Sequence, residues 1–127
     1  MIRTMLIVAL GGGIGSALRY IVSRTVGEHT AGAFPLPTFA VNIAGCLLIG
    51  LLYGLSDRGS LGGNATKTLL TTGLCGGFTT FSTFCNEGVA LMRDGSAPVA
   101  IIYAAASMAA GMAAVAAGCW LAAHIRM

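Results

Sequence analysis

The sequence predicts an all-α membrane protein with four transmembrane helices per chain, the third of them broken at mid-membrane. Two observations come from composition: 56% of the 127 residues are hydrophobic and only 9% are charged, whereas charged residues make up about a quarter of a typical soluble domain. The third observation is spacing, because apolar stretches of roughly 20 residues, the length of a helix that crosses a bilayer, follow one another along the whole chain.

Four such spans account for nearly every residue, so we predict a single four-helix transmembrane domain over residues 1–127. The connections between the spans are short and concentrate charge, glycine and proline, which leaves no room for a separate catalytic unit. We predict the spans at residues 2–23, 37–55, 65–92 and 97–123.

The third span contains the feature around which the other spans are arranged. The 19 residues between Lys67 and Glu87 carry no charge, yet they include three glycines within five positions and four hydroxyl residues just after them. Glycine weakens a helix by up to about 1 kcal/mol relative to alanine, so we predict an interruption at Gly76-Gly77. Open backbone at membrane depth needs protein, water or an ion as partner, and the sequence therefore predicts an ion site there.

Small residues recur at the spacing that allows helices to touch in lipid. Glycine pairs with three residues between them occur at 11–15, 50–54 and 73–77, and the fourth span is rich in alanine. A helix with so little bulk needs protein neighbours on several sides. We therefore predict an oligomer, and a homodimer in particular, because two-fold closure is the commonest symmetry.

The distribution of basic residues does not select one orientation in the membrane. The side that holds both termini carries four Lys/Arg and the other side two or three, a weak bias under the rule that basic loops stay inside. The residues counted on the first side are Arg3, Arg58, Lys67 and Arg126, and those on the second are Arg24 and Arg93, with Arg19 near the second group.

Asn42 is a polar residue inside the apolar second span. Its amide offers two donors and two acceptor lone pairs, which are costly to bury without partners. Two interpretations stay open: a hydrogen bond between helices, or a place in the wall of a pore.

Rings and hydroxyls alternate after the glycines. Phe81 and Phe84 are three residues apart and share a helix face, and the positive edge of a phenyl ring can contact a small anion. Packing against lipid or core is the other interpretation of this pair. Tyr103 and Ser107 are four residues apart in the fourth span, where they either line the same path or serve as ordinary packing residues.

Two charged residues lie near the ends of spans. Arg19 is interpreted either as an arginine that extends to the interface or as a source of positive potential at a pore mouth. Glu87 can be an ordinary interfacial carboxylate.

The composition argues against several classes of function. Seven Lys/Arg and four Asp/Glu give a net charge of +3 without any basic run, so no nucleic-acid partner is expected. The sequence contains no catalytic triad, phosphate-binding loop or cluster of metal-ligating side chains, and its four cysteines lie in apolar stretches without C-x-x-C spacing. We predict that the chain is not an enzyme.

Three stretches together resemble one family. The string GLCGGFTTFSTF at residues 73–84, with GGGIGSALRY at 11–20 and VNIAG at 41–45, is similar to the Fluc family of fluoride channels, also called CrcB. The resemblance covers all four spans. It implies a fluoride-selective passive ion channel that lets fluoride leave the cell across the bacterial inner membrane and so protects the cell from fluoride toxicity.

The resemblance also implies an assembly and a set of site residues. The assembly is an antiparallel, dual-topology homodimer in membrane lipid, with two pores, a structural sodium ion (Na+) at the dimer centre and no further protein partner. The main-chain carbonyls of Gly76 and Thr79 are implied to bind the sodium ion. The implied pore residues are Asn42, Phe81, Phe84, Thr38, Thr80, Ser82, Thr83, Tyr103 and Ser107, and the implied vestibule residues are Arg19 and Glu87.

The chain departs from the family pattern at two places. Phe78 stands where the family often has leucine, and Cys85 follows Phe84 where serine is common. The alternative function from the residues alone is a small proton-coupled multidrug exporter, which would need an ionisable group deep in the first span. A third hypothesis is a scaffold protein without transport activity, which the absence of any loop domain argues against.

Overall fold

The structure of the protein is a computed structural model that describes residues 1–125. Its regular structure is helical, with no strand in that range, which confirms the predicted all-α class. Arg126, counted above among the basic residues, lies outside the described residues. The elements in chain order are α1 (Ile2–Glu28), α2 (Leu36–Asp57), α3 (Asn64–Thr68), a π-helical segment (Leu69–Cys75), α4 (Gly76–Phe78), α5 (Phe81–Arg93) and α6 (Ala97–His124).

Three helices, α1, α2 and α6, are each long and apolar enough to cross a membrane. α1 continues past Ser23, the end of the predicted span, to Glu28. The extra turn is stabilised by an ion pair between Arg24 Nε and Glu28 Oε1 at 3.1 Å, because residues four apart are neighbours on a helix surface. The Thr25 hydroxyl also donates to the Ile21 carbonyl at 2.9 Å.

The third span is built from four helical pieces, and its interruption does not lie where the glycines predict it. Gly76 and Gly77 are helical, whereas Thr79 (φ −91°, ψ 159°) and Thr80 (φ −149°, ψ 119°) are extended. The prediction of the break at Gly76-Gly77 was therefore wrong. Threonine is branched at Cβ and prefers extended backbone, while Gly77 serves a different purpose, the close approach of α1.

Glycines bring α1 into backbone contact with the third span. A Cβ atom at Gly73 would lie 2.9 Å from Gly11 Cα, and one at Gly77 would lie 3.0 Å from Gly12 Cα. A Cβ atom at Gly15 would lie 2.9 Å from the Phe78 nitrogen. The two glycine pairs at 11–15 and 73–77 thus face each other, as small residues do where helices associate in lipid.

A second glycine contact joins α2 to α6, the most extensive helix pairing in the fold. A Cβ atom at Gly118 would lie 2.6 Å from the Leu51 nitrogen, and one at Gly54 would lie 2.6 Å from Ala122 Cβ. Some of the small residues of α6 therefore pack against α2 of the same chain. The outer face of α6 is apolar and exposed at Ile101, Ile102, Met108, Met112 and Trp120.

Candidate functional site

Asn42, on α2, pairs with the backbone of the interruption. Its Oδ1 accepts a hydrogen bond from the Thr80 N–H at 2.8 Å, and its Nδ2 donates to the Thr80 carbonyl at 3.0 Å. The Thr80 N–H has lost its helical acceptor at the interruption, and buried backbone groups require replacement partners. The hydrogen bond between helices, one of the two interpretations of Asn42, is thus present, and the second N–H of the amide remains for another partner.

The interruption also creates a helix start, at α5. Thr80 caps this helix, because its Oγ1 accepts a hydrogen bond from the Thr83 N–H at 3.3 Å and donates to Thr83 Oγ1 at 3.0 Å. The N–H groups of Phe81 and Ser82, in the first turn, have no acceptor within the helix. The positive end of the α5 dipole therefore lies at the interruption.

Two carbonyls at the interruption lose their helical donors. The Thr80 N–H, which would donate to the Gly76 carbonyl in a continuous helix, donates to Asn42 instead. The Thr83 N–H, which would donate to the Thr79 carbonyl, donates to Thr80 Oγ1. A Cβ atom at Gly76 would meet no atom within 4 Å, so the space beside it is open. Neutral carbonyl oxygens of this kind suit a hard cation.

The carbonyl between them, that of Gly77, has protein partners. Arg19 Nε donates to it at 3.1 Å, and the Ser16 hydroxyl lies 3.5 Å from the same oxygen. Arg19 thus turns towards the end of α4, which differs from an arginine extended to the interface. Within residues 1–125 the one ion pair is Arg24–Glu28, so the Arg19 charge is not neutralised by a carboxylate there.

Most of the implied pore and metal residues line one groove of about 410 Å³ beside the interruption. Its wall is mainly apolar, and its polar residues come from α2, the third span and α6. The implied site residues in its lining are Asn42, Gly76, Thr79, Thr80, Phe81, Phe84 and Ser107.

The two phenylalanines of α5 have different surroundings. Their ring centroids are 5.9 Å apart with a 39° angle between planes. Phe81 is 76% exposed, whereas Phe84 packs on Tyr103 at 4.9 Å between centroids.

Tyr103 and Ser107 of α6 are both buried but differ in their hydrogen bonding. Tyr103 is fully buried and donates from its hydroxyl to Glu87 Oε1 at 3.1 Å, so Glu87 has a specific partner. Ser107 Oγ is also buried, but among residues 1–125 it has no hydrogen-bond partner. A buried hydroxyl without a partner is unfavourable, and this one borders the groove. Thr38 is buried on α2, and Ser82 is exposed on α5.

Two residues that contact the site were not predicted from the sequence. Ser16 lies three residues before Arg19, a spacing that places both on one helix face. Phe34, in the loop before α2, packs edge-on against Tyr103 with 5.3 Å between centroids. The spacing could have indicated Ser16, but a loop phenylalanine has no periodic pattern that would have indicated its contact.

These features define a small, helical, multi-pass membrane protein in which polar groups collect around an interrupted span. The predicted multi-pass membrane location is confirmed by the three apolar helices and by the relatives below. The chain belongs to the CrcB family: the family described as "CrcB-like protein, Camphor Resistance (CrcB)" matches residues 6–119.

Three relatives align with this chain over most of its length and most of their own. The chain is 44% identical to a Phocaeicola vulgatus protein over 94% of its own length and 98% of the relative's, and 45% identical to a Chlorobaculum tepidum protein over 96% of each; both are named fluoride-specific ion channel FluC. It is 48% identical to fluoride-specific ion channel FluC 2 of Rhodococcus jostii, over 87% of this chain and 91% of that one. The resemblance found in the sequence is confirmed by the family match, and so is the prediction that the chain is not an enzyme, because these relatives are named as ion channels.

Proposed function

We propose that the protein is a fluoride-selective passive ion channel of the bacterial inner membrane, which exports fluoride and so protects the cell from fluoride toxicity. The names of its relatives support fluoride as the transported ion. The groove at the interruption supports the same conclusion from chemistry, because it offers neutral hydrogen-bond donors and no basic side chain in its lining.

The observation that carries the proposal is the set of unused donors in that groove. The second N–H of Asn42 and the buried hydroxyl of Ser107 border it, next to the positive end of α5. Removing a small anion from water into a dry medium costs tens of kcal/mol in an idealised Born calculation. Donors arranged along a path replace the hydration shell in stages, and each site binds weakly enough for the ion to leave.

The phenylalanine rings contribute to the same path. A phenyl ring is positive at its edge, so Phe81 and Phe84 present edges to the anion while their apolar surface excludes water. The hydroxyls implied for the rest of the path continue it along α2, α5 and α6, and they belong to Thr38, Thr80, Ser82, Thr83, Tyr103 and Ser107.

Arg19 and Glu87 act at the two ends of this path. The Arg19 guanidinium is not neutralised by a carboxylate within residues 1–125, so it attracts anions towards the interruption. Glu87, held by Tyr103, is the acceptor at the far end, where it keeps the tyrosine hydroxyl oriented.

We further propose that the working unit is an antiparallel, dual-topology homodimer with two pores and a central sodium ion. The carbonyls of Gly76 and Thr79 have lost their helical donors, and two oxygens from one chain do not surround a cation. A second copy related by a two-fold axis brings the number of carbonyl oxygens to four. A partner across the groove would also cover Phe81 and Met108, which are 76% and 61% exposed in the single chain.

Fluoride selectivity is tested with purified protein in liposomes loaded with potassium fluoride and potassium chloride. After addition of a potassium ionophore, we expect rapid fluoride efflux with little chloride efflux, measured with ion-selective electrodes. Protein-free liposomes are the control. Equal efflux of both halides would contradict selectivity.

The sodium ion and the dimer are tested by thermal unfolding in detergent, with sodium compared with N-methylglucamine at equal ionic strength. A ligand bound only to the folded state raises the midpoint with its concentration, so we expect a higher Tm in sodium and the mass of two chains by light scattering. The same Tm in both salts would rule out the cation site, and a monomer mass would rule out the dimer.

The multidrug exporter is not favoured. The names of the chain's relatives give no support to an exporter. Arg19 is the ionisable residue of the first span nearest the interruption, and it donates a hydrogen bond to the Gly77 carbonyl. Proton uptake driven by an organic cation in the same liposomes would restore this alternative.

A further inference from the structure

Phe34 lies in the short loop between α1 and α2, and it is not one of the residues assigned to the proposed anion path. Its ring packs edge-on against Tyr103, with 5.3 Å between centroids and 79° between planes. It makes a second edge contact with Phe39, with 5.4 Å between centroids and 65° between planes. Edge-to-face pairs favour defined orientations of both rings.

The backbone around Phe34 is held rigidly. Pro35 has φ −76° and ψ 70°, and the Leu36 N–H donates to the Phe34 carbonyl at 2.8 Å. These values define an inverse γ-turn, and the proline ring fixes φ within it. Pro37 follows in the first turn of α2. The turn therefore connects the Phe34 backbone directly to the start of α2.

Tyr103, the partner of Phe34, has little freedom of its own. It is fully buried, and its ring also contacts Phe84 at 4.9 Å between centroids. Its hydroxyl donates to Glu87. Phe84 and Glu87 both belong to α5, whereas Phe34 contacts Tyr103 from a loop in a different part of the chain.

We propose that Phe34 is a positioning residue for the anion path. Its ring holds Tyr103 at the angle at which the hydroxyl meets Glu87, and it excludes water that would otherwise reach this pair from the loop. The inference rests on the proposed function, because it takes the tyrosine hydroxyl to be part of the path.

The test is a double-mutant cycle on fluoride flux. Phe34→Leu keeps an apolar side chain but removes the ring, and we expect it to lower flux by a factor of about five to ten, the equivalent of losing the one edge contact with Tyr103. Phe34→Tyr keeps the ring, and position 34 is only partly buried, so this variant should stay close to the unsubstituted chain. Leu36→Ala, at an exposed neighbour outside the ring cluster, is the matched control and should have no effect.

The second arm of the cycle uses Tyr103→Phe, which removes the hydroxyl and retains the ring. Residues that act through one group are not additive, so Phe34→Leu should add less than about a twofold loss in this background. Equal losses in both backgrounds would show that Phe34 only packs, and they would overturn the proposal. An unchanged flux for Phe34→Leu or for Tyr103→Phe alone would do the same.

Folding is monitored separately by Tm and by the elution volume in detergent. If Phe34→Leu does not fold, Phe34→Met replaces it, because methionine adapts to irregular space. Failure of both to fold would assign Phe34 to the core and overturn a positioning role. If the unsubstituted chain carries no fluoride at all, the proposed function fails; if it carries fluoride and the losses are additive, only the inference on Phe34 fails.

Discussion

Asn42→Asp is expected to reduce fluoride flux by about a hundredfold or more, the largest effect of any substitution in the groove. A carboxylate accepts hydrogen bonds from the Thr80 N–H but has no proton to donate to the Thr80 carbonyl. The carbonyl loses its side-chain donor, at a cost of about 1–3 kcal/mol, and a negative charge stands on the proposed anion path.

The measurement is the liposome efflux assay, with dimer mass and Tm recorded for each variant. Asn86→Asp is the matched control, because it makes the same chemical change at an exposed position of α5, and its flux should be close to that of the unsubstituted chain. Asn42→Ala removes both hydrogen bonds without adding charge, so a larger loss of flux in Asn42→Asp than in Asn42→Ala would show that the added charge itself obstructs the anion. Unchanged flux in Asn42→Asp would remove this residue from the path.

Gly118→Val is expected to prevent recovery of folded protein. A Cβ atom at this position would lie 2.6 Å from the Leu51 nitrogen and would also contact the Leu47 carbonyl oxygen, both of them backbone atoms of α2. Backbone atoms do not move aside as a side chain can, so α2 and α6 must separate. Overpacking of a core costs about 1–3 kcal/mol when side chains can adjust, and we expect the cost here at or above the top of that range.

Gly13→Val is the matched control for this experiment. Gly13 also lies inside a long helix, but a Cβ atom there would meet no atom within 4 Å, so the variant should express and fold normally. The readouts are the yield of monodisperse protein in detergent and its Tm. A Gly118→Val protein that folds as well as Gly13→Val would contradict the packing of α2 against α6.

The function proposed for the groove depends on which polar groups are already hydrogen-bonded within the protein and which are left for an ion. Asn42 uses its oxygen and one N–H to complete the backbone at Thr80, which leaves one N–H for an anion. Arg19 takes the Gly77 carbonyl, which leaves the carbonyls of Gly76 and Thr79 for a cation. The two interpretations of Asn42 are therefore compatible, because one amide has enough hydrogen-bonding groups for both.

Much of the fold follows from the sequence alone. Hydropathy and span length predict an all-α membrane protein, since an uncharged stretch of about 20 residues has few stable alternatives to a membrane-spanning helix. The glycine pairs indicate close helix contacts, and the motif at residues 73–84 identifies the family. Each of these signals is local, because it depends on residues within one span of the sequence.

Contacts between distant parts of the chain required the tertiary structure. The break lies at Thr79-Thr80 and not at Gly76-Gly77, because the glycine at 77 makes room for α1 while Asn42 supplies the partners that extended backbone needs. Phe34 likewise meets Tyr103 only after α2 and α6 have packed. Sequence by itself determined which residues are polar, small or aromatic in each span; only the packing of separate helices decided which backbone groups each side chain completes and which remain for an ion.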